Sequence, residues 1–268
     1  MSDTAHPKPV RRIAFANQKG GVGKTTSAVN IAACAAEQGR HVVLIDLDPQ
    51  ASATRWLGAS TDAGDLLDVF EGSASLADVL TTTVVDGLRV VPASIALTAA
   101  EKVLTGQPGA EMVLRSAVDR LLGKDLERVG PIDLVLFDCP PTLGLLAVSA
   151  LVAAHEVVVP VGIGSMELDG VADLLRTVDL VAQRLNAGLH VSAVVPVAYQ
   201  GRQRLSQDVV ASLTDRFGED VLQPIRASVR VREAPSAQEP LTLYAPTEPV
   251  TDDFRAVTTA LLQRGATP

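Results

Sequence analysis

The chain has 268 residues, of which 47% are hydrophobic and only 3% aromatic, with a formal net charge of −8. Such a length buries a sizeable core, and apolar mass drawn from Ala, Val and Leu suits helices and buried parallel strands better than an aromatic-rich β-sandwich. The acidic balance repels nucleic acid over the molecule as a whole, so any contact with DNA must be local.

In chain order, residues 1–12 (MSDTAHPKPVRR) read as a flexible polar tail, and residues 13–268 as a single domain. Ile13 to Ala16 is a short apolar run feeding a glycine-rich turn and a helical stretch from Thr25 to Gln38, which Gly39 ends. The run HVVLIDLD then closes a βαβ unit at Asp46. Residues 58–86, rich in Gly, Ser, Thr and Asp, have the weakest periodicity and are expected to form surface helices and loops. Strand-like runs recur at Leu88–Pro92, Ile132–Asp138, Glu156–Pro160 and Val191–Val197. Helices are expected near Glu111–Leu122, Thr142–Ala154, Leu168–Leu185, Val209–Phe217 and Thr251–Gln263. This alternation predicts an α/β fold: a mostly parallel twisted sheet with helices on both faces.

The cysteines Cys34 and Cys139 lie far apart, which argues against a disulfide framework and fits the cytoplasm. No signal-peptide pattern opens the chain, and no apolar run approaches the ~20 residues of a membrane-spanning helix.

The strongest local signal is QKGGVGKTT at 18–26, lying between a predicted strand and a predicted helix. Gly20, Gly21 and Gly23 let the backbone around Val22 curl so that successive N–H groups face phosphate oxygens, with the helix N-terminus behind them. Lys24 is placed to reach the β- and γ-phosphates, and Thr25 offers a hydroxyl to a nucleotide-bound Mg²⁺. The standard loop has a glycine where Gln18 stands, and a second lysine follows at Lys19. A lysine there folds back poorly on its own nucleotide, but across a two-fold interface it reaches the partner's phosphates, much as an arginine finger acts in trans. ATP-dependent homodimerisation is the expected consequence.

Strand alternation puts Asp46 and Asp48 on one side of the second strand's end, where open α/β sheets bind ligands. One is suited to lean on Mg²⁺ and the other, assigned to Asp48, to orient the attacking water. With an ordinary carboxylate pKa of about 3.9, Asp48 positions water rather than deprotonating it, so hydrolysis should be slow. The apolar run ending in Asp138 has the form of a Walker B strand, with Asp138 holding Mg²⁺ through water.

The stretches KGGVGKTT (19–26), DLDPQ (46–50), DCPPTLG (138–144) and VRVREAPS (229–236) resemble the ParA/MinD family of deviant Walker A ATPases over nearly the whole chain, most closely its compact Soj-like members. The resemblance implies ATP and Mg²⁺ as cofactors and a loop, Lys19 to Thr26, that binds nucleotide. Lys19 is then the lysine that touches the other subunit's nucleotide, Gly20 permits close dimer approach, and Asp48 serves hydrolysis. It implies non-specific binding of double-stranded DNA by the ATP dimer, hydrolysis stimulated by a ParB-like centromere-binding partner, segregation of plasmid or chromosome DNA, and a cytoplasmic, nucleoid-associated location.

Arg202, Arg204, Arg216, Arg226, Arg230 and Arg232 make a basic corner in an acidic chain. Arg202, Arg204, Arg226, Arg230 and Arg232 are the DNA-binding candidates, with Arg230 favoured by family position. A loop around Ala234 and Pro235 is the candidate for base contact, because VVPVAYQG (194–201) lacks an asparagine that some members use. PVGIGSMELDG (160–170) departs from related sequences but keeps Glu167 and Gly170.

Three alternatives remain. A MinD-like membrane cycle would need a basic amphipathic C-terminal helix, whereas Phe254, Val257 and Leu261 with Asp252 and Asp253 look like core docking. An iron–sulfur reductase would need paired loop thiols, which the placement of Cys34 and Cys139 does not supply. The same motor carrying a protein cargo is compatible with every motif.

Overall fold

The computed structural model describes residues 10–104, 106–163 and 167–264. Residues 1–9 of the expected tail, residues 164–166 of the divergent PVGIGSMELDG stretch, and residues 265–268 lie outside the described residues.

The strands β1 (Arg11–Phe15), β2 (Val42–Asp46), β3 (Thr81–Thr82), β4 (Leu88–Val91), β5 (Leu134–Asp138), β6 (Glu156–Gly162), β7 (His190–Tyr199) and β8 (Ile225–Arg226) form one sheet. Its order is β3-β4-β2-β5-β1-β6-β7-β8. All neighbours run parallel except the edge pair β3 and β4, so the expected α/β class is the one observed.

Side chains alternate across this sheet into two cores. Ile13, Phe15, Leu44, Leu134 and Leu136 face the helices Lys24–Glu37 and Pro249–Arg264. Ala14, Val43, Ile45, Val135 and Phe137 face the helices Val113–Leu122, Leu145–Ala153 and Glu167–Arg184. Burial on both faces explains why these strands read as continuous apolar runs.

The strand order positions the site. β5 lies between β1 and β2, in register with both: Phe15 pairs with Asp138, and Asp138 pairs with Asp46. The loop after β1 and the carboxylates ending β2 and β5 therefore share the carboxyl edge of the sheet, where ligands bind in open α/β folds.

Several boundaries differ from the sequence expectation. β1 begins at Arg11, because the Arg11 guanidinium clamps Glu156 at 2.6 and 2.8 Å and donates to the Leu261 carbonyl at 3.0 Å. The 58–86 segment holds two short helices, Leu66–Glu71 and Leu76–Val79, each opened by a capping box from Asp65 or Ser75. The helix expected at Val209 starts at Arg204; its first turn leaves Leu205 exposed and carries no apolar stripe to reveal it. The two-residue strands β3 and β8 are too short to show period-2 alternation.

The main correction concerns 229–237. The expected loop around Ala234 and Pro235 is the helix Val229–Ala237. The Ser228 hydroxyl caps it by accepting from the Arg230 amide at 3.2 Å; Pro235 has no N–H to offer the Val231 carbonyl, and the helix ends two residues later with Gln238 in the left-handed region.

The C-terminal helix Pro249–Arg264 buries Phe254, Val257 and Leu261 against the first helix. Among the described residues no helix is long and apolar enough to cross a membrane.

Candidate active site

The 18–26 segment leaves β1 and enters the helix Lys24–Glu37 as a tight loop. Gly21 and Gly23 have φ of +73° and +86°, the left-handed region that L-residues avoid. Gly23 is also crowded: a Cβ there would stand 3.1 Å from Val197 Cγ2. Gly20 differs, since among the described residues nothing lies within 4 Å of a Cβ built on it. Val22 is buried and pins the loop, while Thr25 and Thr26 sit half-buried in the first helical turn.

Lys24 is 7% exposed, and its Nζ donates to the Lys19 carbonyl at 2.9 Å across the mouth of the loop. Burial lowers its pKa, with Asp138 first among the groups opposing that shift.

Asp138 is fully buried, and neither carboxylate oxygen has a well-formed hydrogen bond. Burial raises its pKa well above the carboxylate range, the neighbouring Asp46 adds to this, and the Thr25 hydroxyl and Lys24 offset only part. A buried carboxylate without partners is costly. Its oxygens, beside the Thr25 hydroxyl and below a phosphate-shaped loop, fit a hydrated Mg²⁺, which prefers few protein oxygens together with waters and phosphate.

Asp46 is also fully buried, and burial pushes its pKa up to about 6 against the pull of hydrogen bonds from Thr54 and the Asp48 amide. Its Oδ2 accepts from the Thr54 amide at 2.9 Å and the Thr54 hydroxyl at 2.8 Å, and its Oδ1 accepts from the Asp48 amide at 3.1 Å. Asp48 is half-buried and accepts from the Gln50 amide at 2.9 Å, which shapes the turn after β2. Of the two aspartates expected on the phosphate side, Asp46 is fixed by Thr54 and the Asp48 amide, and Asp48 is the more exposed.

Thr54 escaped sequence reasoning. Besides binding Asp46, its hydroxyl accepts from the Ala93 amide at 2.9 Å and so ties β2 to the end of β4. No motif marks a threonine eight residues beyond its carboxylate. Asn30 also escaped: it donates to the Thr26 carbonyl and accepts from the Leu241 amide, both at 2.8 Å.

Ala234 is fully buried in the core facing the first helix, so its side chain is not available for base contact, in correction of the sequence expectation; Pro235 beside it is half-buried.

Of the candidate arginines, the structure brings Arg226 close to the segment that carries Arg202. Gly201, next to Arg202, shares an open cleft with Tyr199, Arg226 and Asp253, and the Ala227 amide donates to the Tyr199 carbonyl at 2.9 Å. Arg202, Arg204 and Arg232 are exposed. Arg226 is clamped by Asp253 at 2.6 and 2.8 Å, and Arg230 is paired with Glu233 at 2.8 Å and Glu248 at 3.4 Å. Cys34 and Cys139 are both buried, in different cores.

A glycine-rich loop entering a helix, with two strand-end aspartates beside it on a parallel sheet, defines a P-loop protein of the nucleotide-binding α/β class. Residues 10–191 match the model of an AAA domain. The chromosome-partitioning ATPase Soj of Thermus thermophilus is 41% identical over 256 residues, covering 95% of this chain and 96% of that one. The sporulation initiation inhibitor protein Soj of Bacillus subtilis is 38% identical over 237 residues, covering 87% and 91%. Among solved structures, a cobyrinic acid a,c-diamide synthase from Mycobacterium smegmatis with bound ADP and magnesium superposes with TM-score 0.80 at 33% identity, covering 95% of each chain. The chain belongs to the ParA/MinD family of P-loop ATPases.

Proposed function

We propose that this chain is an ATP-driven DNA-partitioning motor in which Mg²⁺·ATP closes a sandwich dimer. The observation that carries this reading is the buried Asp138, whose oxygens have no well-formed hydrogen bond and lie beside Lys24 and Thr25 at the carboxyl edge of β5. Its kinship with proteins named as partitioning ATPases supplies the process.

The loop amides from Gly20 to Thr26 cradle the phosphates. Lys24 exchanges the Lys19 carbonyl for the β- and γ-phosphates. Thr25 and Asp138 would hold Mg²⁺, with Asp46 behind them, and the bound ion would supply positive charge against the phosphates. Asp48 orients the attacking water, and Lys19 reaches the partner's phosphates. The open space at Gly20 supports dimer closure, since nothing among the described residues demands a glycine there.

In the closed dimer the exposed Arg202, Arg204 and Arg232, with Arg230 and Arg226, face duplex DNA without sequence preference. Two copies of a weak patch gain affinity by acting together. A ParB-like partner stimulates hydrolysis and releases the DNA, and the protein acts on the nucleoid in the cytoplasm. Hydrolysis without the partner is slow.

Partitioning is favoured over amide synthesis, the activity named for the mycobacterial structure. The chromosome-partitioning ATPase Soj of Thermus thermophilus matches at 41% identity over 95% of this chain, against 33% over the same share for that structure.

The test is binding to non-specific duplex DNA with no nucleotide, ADP, ATP or a non-hydrolysable analogue, at two salt concentrations. Salt-sensitive binding should appear only with triphosphate, and Asp48→Ala should hold DNA persistently in ATP. Equal binding in all nucleotide states, or none in any, would overturn the DNA motor and leave protein-cargo positioning as the next reading.

A further inference from the structure

We infer that Asn17 is a positioning residue that aims Lys19 at the nucleotide of the partner subunit. The inference rests on the reading that Lys19 acts in trans.

Asn17 is the second residue after β1 and is 1% exposed. The parallel ladder between β1 and β6 ends where the Ala16 amide donates to the Val158 carbonyl at 3.2 Å. Two residues on, the next rung would join the amide of residue 18 to the Pro160 carbonyl, but the chain has already turned into the phosphate loop. The Asn17 side chain fills that rung: its Nδ2 donates to the Pro160 carbonyl at 2.8 Å. Its Oδ1 accepts from the Lys19 amide at 3.1 Å. One buried side chain therefore anchors the backbone of Lys19 to β6.

The requirement is chemically narrow, because the group must donate to a carbonyl and accept from an amide at once. Aspartate lacks the donor, and a serine hydroxyl is too short to span both. Gly170, in the first turn of the helix Glu167–Arg184, closes the pocket from the other side. A Cβ at Gly170 would stand 3.3 Å from Asn17 Oδ1 and 3.7 Å from Lys19 Cβ, closer than that oxygen tolerates without moving.

The alternative is that Asn17 merely satisfies a buried amide and steadies the loop for its own nucleotide. Its contacts argue otherwise. It bonds Lys19, the residue with the trans role, and among the described residues none of its side-chain hydrogen bonds goes to the loop amides of Gly20 to Thr26. When Lys24 leaves the Lys19 carbonyl for phosphate, Asn17 keeps its hold on the Lys19 amide.

Subunit mixing separates the two roles. Asn17→Ala alone should bind a fluorescent ATP analogue within about threefold of wild type, and its turnover on DNA should fall by about tenfold or more, as displaced catalytic groups do. Mixed one to one with Asp48→Ala, it should regain activity, because the Asp48→Ala subunit lends a well-placed Lys19 to a nucleotide served by an intact Asp48. Random pairing gives about a quarter of wild-type turnover, in the manner of a finger supplied in trans.

Lys19→Ala mixed with Asp48→Ala is the control and should recover equally. If the control recovers and the Asn17→Ala mixture does not, Asn17 acts on its own subunit and the inference is wrong. It is also wrong if Asn17→Ala turns over normally. If the control itself fails, the trans reading of Lys19 falls and takes the inference with it. Should Asn17→Ala not fold, Gly170→Ala, whose Cβ presses on Asn17 Oδ1, replaces it in the same mixtures with the same expectations.

Discussion

Asp46 and Asp138 are direct partners in the register of β2 and β5, and both are fully buried. Two carboxylates side by side out of water destabilise the fold unless a cation joins them; burial raises the proton affinity of both, and Asp46 adds to that of Asp138. Asp138→Asn should therefore raise the melting temperature of the nucleotide-free protein, by about 1 kcal/mol or more of stability. The same change should abolish Mg²⁺-dependent turnover. Thermal melts with and without Mg²⁺·ATP read both effects, and a variant that is less stable without ligand would contradict the account of Asp138.

Thr54→Val keeps the shape of the side chain and removes the hydroxyl that binds both Asp46 and the Ala93 amide. The buried Ala93 N–H loses its partner, so stability should fall by about 1–3 kcal/mol. Turnover should fall more than ATP affinity, because Asp46 and the Asp48 turn it braces are displaced while the phosphate loop is untouched. Chemical denaturation and steady-state kinetics are the measurements.

Gly20→Val is expected to leave the isolated chain unharmed. Its φ lies outside the left-handed region and its Cβ would meet open space, so the change in stability should stay within about 0.5 kcal/mol, as for an ordinary surface position. Nucleotide should still bind, and light scattering in ATP should show only monomer. Dimers in that variant would remove the reason offered for a glycine at this position.

Arg230 is paired with Glu233 and Glu248, so a DNA phosphate has to displace carboxylates to reach it. Glu248→Gln should tighten non-specific DNA binding several-fold in ATP, and Arg230→Ala should weaken it and reduce the slope of log affinity against log salt by about one. Arg226→Ala should have the smaller effect on DNA, since Asp253 already occupies its guanidinium with two hydrogen bonds.

Glu156 is 8% exposed. Burial alone would raise its pKa, but the clamp from Arg11 outweighs that and holds it below the ordinary glutamate value. A carboxyl with a depressed folded-state pKa contributes stability above its unfolded pKa of about 4.3 and loses it as pH falls through the folded value. Glu156→Gln should cost about 2 kcal/mol near neutral pH by leaving the Arg11 guanidinium unpaired in a partly buried site. The gap between variant and wild type should narrow below pH ~4. A pH series of denaturation curves checks the sign.

The sequence by itself determined the βαβ alternation, the phosphate loop and the strand-end aspartates. Strands buried on both faces must be continuous apolar runs, and a loop that exposes consecutive amides to phosphate needs glycine at fixed spacing, as at Gly21 and Gly23. Such constraints are local, so they are written in short stretches of chain. The helix Val229–Ala237 was hidden by Pro235, because the cap at Ser228 and the packing of Ala234 outweigh a local breaker. The partnering of Thr54 with Asp46, of Asn17 with Pro160 and of Arg226 with Asp253 was likewise decided only by tertiary structure. Each depends on which strands and helices become neighbours, and a buried polar side chain takes its partner from that arrangement.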